Sequence, residues 1–97
     1  MNIQGIIWRD TVIEKLGVKH GVEPEEVEEV LENTEYLPKW RFIQKGEREG
    51  EHVYMALGET EAGRPLTLLL IYKQTREALI ISARDMSKKE RKQYGQK

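Results

Sequence analysis

Residues 80–94 read Ile80-Ile81-Ser82-Ala83-Arg84-Asp85-Met86-Ser87-Lys88-Lys89-Glu90-Arg91-Lys92-Gln93-Tyr94. Leu79 to Ala83 is apolar and rich in β-branched residues, the composition of a strand. Ser87-Lys88-Lys89-Glu90 then has capping-box spacing. The Ser87 hydroxyl is placed to accept from the Glu90 N–H while the Glu90 carboxylate accepts from the Ser87 N–H, which predicts a helix start. Period-two alternation along the strand puts Ile80, Ser82 and Arg84 on one sheet face, with Ile81 and Ala83 on the other. A guanidinium is therefore expected at a strand end, beside a helix carrying Lys88, Lys89, Arg91, Lys92 and Tyr94. From Arg84 to Lys97 six basic residues stand against Asp85 and Glu90, on a chain of net charge −1. Such a segment suits an anionic partner.

Upstream of this stretch, Leu66 to Tyr72 is apolar on both faces, the pattern of a central strand covered on both sides. Val53, Met55 and Leu57 alternate with His52, Tyr54 and Ala56 in a half-buried strand. Tyr36 to Lys45 reads as another strand, with Trp40 and Phe42 on one side, and the charged, glycine-bounded segment from Lys45 to Gly50 as a hairpin loop. Pro24 and the acidic Glu25 and Glu26 open a helix whose apolar stripe is Val27, Val30 and Leu31. Before it, Asp10 reads as the N-cap of a helix reaching about His20. Ile13, Leu16 and His20 share one stripe there, and Gly21 is placed to end the helix left-handed. Asn2 to Arg9 is an opening strand. The order predicts an α+β fold: an N-terminal strand and two helices packed on a mainly antiparallel sheet of four to five strands, with a short C-terminal helix. Residues 1–97 are read as a single domain.

Composition narrows the function classes. Cysteine is absent, which excludes a disulfide framework and thiolate metal sites. The longest apolar run, Leu68 to Tyr72, is too short to span a bilayer, and the N-terminus does not have the pattern of a secretory signal, so a cytoplasmic protein without membrane partners is expected. Residues 23–35 hold seven glutamates and no basic residue, giving the chain an acidic pole opposite its basic one. No phosphate-cradling glycine loop, nucleophile elbow or histidine pair at metal-ligand spacing is present, and no metal or cofactor is expected.

The candidates for chemistry are few. Arg84 either pairs with Asp85 or Glu90 or offers its planar donor fork to a phosphate. His20 is either a half-buried histidine at a helix C-terminus or a proton-transfer group beside Lys19. Arg91 and Tyr94 are spaced to share a helix face, where the ring either covers core or stacks on a base. Lys88, Lys89 and Lys92 form a basic face that attracts phosphate without sequence preference.

With these residues in view, the chain resembles the BrnT family of bacterial type II toxin–antitoxin toxins, from Ile7 to Tyr94. The resemblance rests on Trp8, Lys19-His20-Gly21-Val22, Pro24-Glu25-Glu26-Val27, Tyr54 through Ala56-Leu57-Gly58, Thr60-Glu61-Ala62-Gly63-Arg64, and Ile81-Ser82-Ala83-Arg84-Asp85-Met86 leading to Glu90-Arg91 and Tyr94. Two positions depart from the commoner pattern: Arg9 stands where an aspartate often follows the tryptophan, and His52-Val53-Tyr54 where an arginine often precedes the aromatic. The resemblance implies a RelE-like fold, RNA cleavage that arrests translation, and neutralisation by a small ribbon-helix-helix antitoxin in a hetero-oligomer. Cleavage of that kind would use the ribose 2′-hydroxyl without a metal. Arg84 and Arg91 are then expected to clamp the phosphate, His20 or Lys19 to move protons, and Tyr94 to stack or position. Lys88, Lys89, Lys92 and Tyr54 would contact RNA. The rival expectation is a non-catalytic module, binding a partner or nucleic acid, that kept the fold and lost the chemistry.

Overall fold

A computed structural model describes residues 1–95; Lys97, counted above in the basic segment, lies outside the described residues. Five strands form one sheet in the order β1-β5-β4-β3-β2. They are β1 (Gly5–Ile7), β2 (Lys39–Lys45), β3 (His52–Glu59), β4 (Pro65–Tyr72) and β5 (Glu77–Asp85). The last four form an antiparallel meander, and β1 adds to β5 in parallel, with Gly5 aligned to Glu77. This is the expected α+β arrangement, with the sheet mostly antiparallel.

Helix α1 (Asp10–Lys15) continues into a π-helical turn, Leu16–His20. Helix α2 spans Pro24–Glu32. Both pack over one sheet face, where Leu16, Val22, Val27 and Val30 meet Ala56, Leu66, Leu68, Leu70 and Ile80 in a buried core. Gly58 allows the close approach of α2: a Cβ there would lie 2.6 Å from Val30 Cγ1. Helix α3 (Lys88–Gly95) lies on the opposite face, since Thr67, which alternates with Leu66 and Leu68 along β4, donates its hydroxyl hydrogen to Glu90 at 2.9 Å.

Several boundaries differ from the expected ones, each for a local reason. Arg9, not Asp10, is the N-cap of α1: its carbonyl accepts from the Val12 and Ile13 N–H groups, while Asp10 sits inside the first turn. The helix widens after Lys15 and closes through Gly21 in the left-handed region (φ 60°), with the Gly21 N–H donating to Gly17 O and the Val22 N–H to Leu16 O. Strand β2 begins at Lys39 rather than Tyr36. Asn33 Oδ1 accepts from the Glu35 and Tyr36 N–H groups at 3.0 and 2.9 Å, which folds that segment into a turn, and Pro38 has no N–H to offer a ladder.

The largest departure from simple alternation falls within residues 80–94. Leu69 aligns with Ser82 but Leu70 with Ile80, so β5 carries one extra residue at Ile81. The bulge resets the alternation. Ile80 and Ala83 face the helices and are buried, while Ser82 and Arg84 face the other side. A continuous alternation would have put Ile80 beside Arg84. The second face also differs from the expectation for β4, which α3 covers only near Thr67. Farther along, Val53, Ile71, Leu79 and Ile81 line an open groove of about 490 Å³.

Candidate functional site

The strand-to-helix passage forms as its spacing implied. Glu90 N–H donates to Ser87 Oγ at 3.1 Å and Ser87 N–H to Glu90 Oε1 at 2.9 Å. The same carboxylate takes both terminal nitrogens of Arg84, at 2.6 and 2.8 Å. Because the bulge turns Arg84 to the face that α3 occupies, this pair bolts the end of β5 to the first turn of α3. The guanidinium, together with the Ser87 N–H and the Thr67 hydroxyl, holds the Glu90 carboxyl down to about 2 against the opposing effect of burial. Glu90 in turn raises the Arg84 pKa.

Asp85, one residue on, faces a different set of groups. Arg64, entering from the β3–β4 turn, donates through Nε and an Nη to the two Asp85 oxygens at 2.8 and 3.2 Å. The same guanidinium reaches the Glu26 carboxylate at 3.0 Å and the carbonyls of Gly21 and His20 at 3.0 and 3.4 Å. Glu26 also accepts from the Glu23 N–H at 3.1 Å, so one side chain caps α2 and anchors Arg64. Arg64 thus joins the π turn, the start of α2, the start of β4 and the end of β5. Hydrogen bonding from Arg64, foremost, then the charges of Arg64, Arg91 and His20, lower the Asp85 pKa.

At one corner of the molecule the His20 carbonyl and Asp85 thus meet at Arg64, and the charges of His20 and Arg91 act on Asp85 from nearby. His20 is half-buried, and Lys19 beside it is exposed. Arg91 is exposed, and its guanidinium makes no hydrogen bond or ion pair to the described residues. Lys88, Lys89 and Lys92 are exposed on the same helix. The corner offers an imidazole, cations and a carboxylate around open solvent, the groups needed to hold a phosphate and move a proton.

Two of the expected site residues lie apart from that corner. Tyr94 is half-buried near Glu59 and Tyr36, and burial, then those two groups, raises its pKa. Tyr54 sits within an edge-to-face aromatic row, 6.2 Å from Trp40, 5.7 Å from Phe42 and 6.4 Å from Tyr72 between ring centres. Tyr54 makes no hydrogen bond or ring contact with α3 among the described residues. Arg64 and Asp85 were not among the expected site residues. Their signal is non-local, since the acceptors of Arg64 lie 21 to 44 positions away. No curated protein matches the chain. The model of one family, ribonuclease toxin, BrnT, of type II toxin-antitoxin system, matches residues 8–90, which take in His20, Arg64, Asp85 and Glu90, and the chain therefore belongs to the BrnT family of ribonuclease toxins.

Proposed function

We propose that this toxin cleaves RNA without a metal, at the corner where His20 and Arg91 flank Asp85. The Arg64 clasp carries the proposal, because it ties His20 to Asp85 from elements far apart in the chain, with the unpaired Arg91 near enough to act on the Asp85 charge. In the proposed reaction His20 takes the proton of a ribose 2′-hydroxyl. The 2′-oxygen bonds to the adjacent phosphorus and the bond to the 5′-oxygen breaks. Lys19 gives that oxygen a proton, leaving a 2′,3′-cyclic phosphate and a 5′-hydroxyl. Arg91 stabilises the charge that builds on the phosphorus-bound oxygens. Arg84 takes part with the N–H donors left over from Glu90 and Asp85, three of the roughly five that a guanidinium has being engaged.

Lys88, Lys89 and Lys92 draw the phosphate backbone to α3, and Tyr94, farther along the same helix, positions a nucleotide away from the cleaved one. Tyr54 contacts RNA only where a strand crosses the sheet from this corner. The same proposal holds that cleavage arrests translation in the cytoplasm. A small antitoxin of ribbon-helix-helix type then neutralises the toxin by forming a hetero-oligomer with it.

The test is cleavage of single-stranded RNA in EDTA by the purified chain, beside His20→Ala and Arg84→Ala samples checked for folding by thermal melting. Wild type should give cyclic-phosphate ends, and His20→Ala should be slower by about a hundredfold or more. Arg84→Ala should lose about tenfold or more. Cleavage that EDTA abolishes would refute metal independence. Absence of cleavage from folded protein would favour the non-catalytic, partner-binding alternative.

A further inference from the structure

The sheet has two edges of different character. Strand β1 is three residues long and half-buried, whereas β2 runs for seven residues, five of them exposed. An edge strand presents unpaired N–H and C=O groups, and proteins ordinarily blunt such a row by shortening or covering it. Strand β2 is neither short nor covered; a bulge at Ile43 and the cations Lys39, Arg41 and Lys45 roughen it, yet it is still the outermost strand of the sheet. Beside its open row it exposes Phe42 (51%), Ile43 (42%) and, just upstream, Leu37 (70%). Its charged residues are Lys39, Arg41 and Lys45, with no acid among them.

Three occupants suit an open edge, and charge separates them. A second copy pairing antiparallel about Phe42 would set Lys39 against Lys45 at both ends, which opposes self-association. A nucleic acid would match the cations but leave the aliphatic Leu37 and Ile43, and the backbone row itself, without partners. An extended polypeptide answers all three features: its backbone completes the ladder, its apolar residues cover Phe42 and Ile43, and its acids meet Arg41 and Lys45. We infer that the outer edge of β2 is a docking site for an acidic, aliphatic strand of a partner protein, which for this toxin is its antitoxin. The inference rests on the antitoxin partnership above but not on the cleavage mechanism. Because β2 lies three strands away from β5 and its Asp85, the docked strand holds the partner while leaving the catalytic corner to another part of it.

Amide hydrogen exchange on the co-expressed, co-purified toxin–antitoxin complex tests the site. Amides of β2 should exchange at least tenfold more slowly in the complex than in the free toxin. The Arg41→Glu, Ile43→Glu double variant reverses one charge and puts another on an apolar side chain, both at exposed positions, so it should fold and cleave RNA like wild type yet bind the antitoxin at least a hundredfold more weakly. A complex that forms with β2 amides unprotected, and that the double variant leaves within threefold of wild-type affinity, would overturn the docking site while leaving the partnership intact. Failure of the co-expressed antitoxin to bind wild type at all would overturn the partnership, and the docking site with it. Protection of β2 by a single-stranded RNA oligonucleotide and not by the antitoxin would assign the edge to nucleic acid instead.

Discussion

Arg64 and Arg84 both grip a carboxylate with two nitrogens, yet they do different work. Arg84 closes a local loop: its partner Glu90 lies six positions on and also caps its own helix. Arg64 closes a global one, tying Asp85, Glu26 and the carbonyls of His20 and Gly21 to a single guanidinium. A local clasp sets where one helix begins. A global clasp sets where several elements stand relative to one another, and so the shape of the corner that holds His20.

The largest expected effect comes from breaking the global clasp. Arg64→Leu leaves Glu26 without its cation and two backbone carbonyls without a donor, and should cost about 3 kcal/mol in urea unfolding. The exposed Asp85 contributes little to that figure. Cleavage should fall as well, because His20 loses the contact that fixes its backbone. An Arg64→Leu protein as stable as wild type would mean that the clasp only decorates the surface.

A somewhat smaller loss, about 2 kcal/mol, is expected for Glu90→Gln, which keeps the shape of the cap and removes the charge facing Arg84. Acid titration isolates the same group. The folded Glu90 carboxyl titrates at about 2 against an ordinary 4.5, so between those values the unfolded chain binds a proton that the folded chain does not. Stability from Glu90 is full above about pH 4.5 and is lost as pH falls through about 2. Glu90→Gln should therefore flatten the acid limb of the stability curve. An unchanged acid limb would place the pairing with Arg84 in doubt.

The smallest effect on stability belongs to Arg91→Ala, which should change unfolding by less than about 0.5 kcal/mol because the side chain is exposed. Its cleavage rate should nonetheless drop about tenfold or more, a cost near 1.4 kcal/mol in the transition state. Equal losses in both measurements would make Arg91 a third structural clasp rather than a reacting-site cation.

The same contrast explains what the amino-acid order made legible. Spacing within one turn was readable, so the Ser87–Glu90 box, the Pro24 helix start and the Gly21 terminus appear in the fold as they read. Alternation was readable until Ile81, where the bulge reversed it; a bulge depends on the register of the partner strand and leaves no mark in its own composition. The turn made by Asn33 shortened β2 through a side-chain bond that competes with strand pairing. Within the candidate site, Arg84 and His20 stood out by their local setting. Arg64 did not, because an arginine in a turn reads as solvated until the chain brings Glu26 and Asp85 to it.

The parallel pairing of β1 with β5 has a consequence for how the protein is made. Strands β2 to β5 join neighbours through short turns and assemble early, but Gly5 must wait for Glu77 before it has a ladder to join. Until then α1 and the π turn that bears His20 have no fixed place beside Asp85. In the proposed mechanism the site is therefore complete only after β5 has been made, because the strand made first pairs with the strand made last. If β2 is the docking edge inferred above, a partner already present can meet that edge before β1 closes on β5.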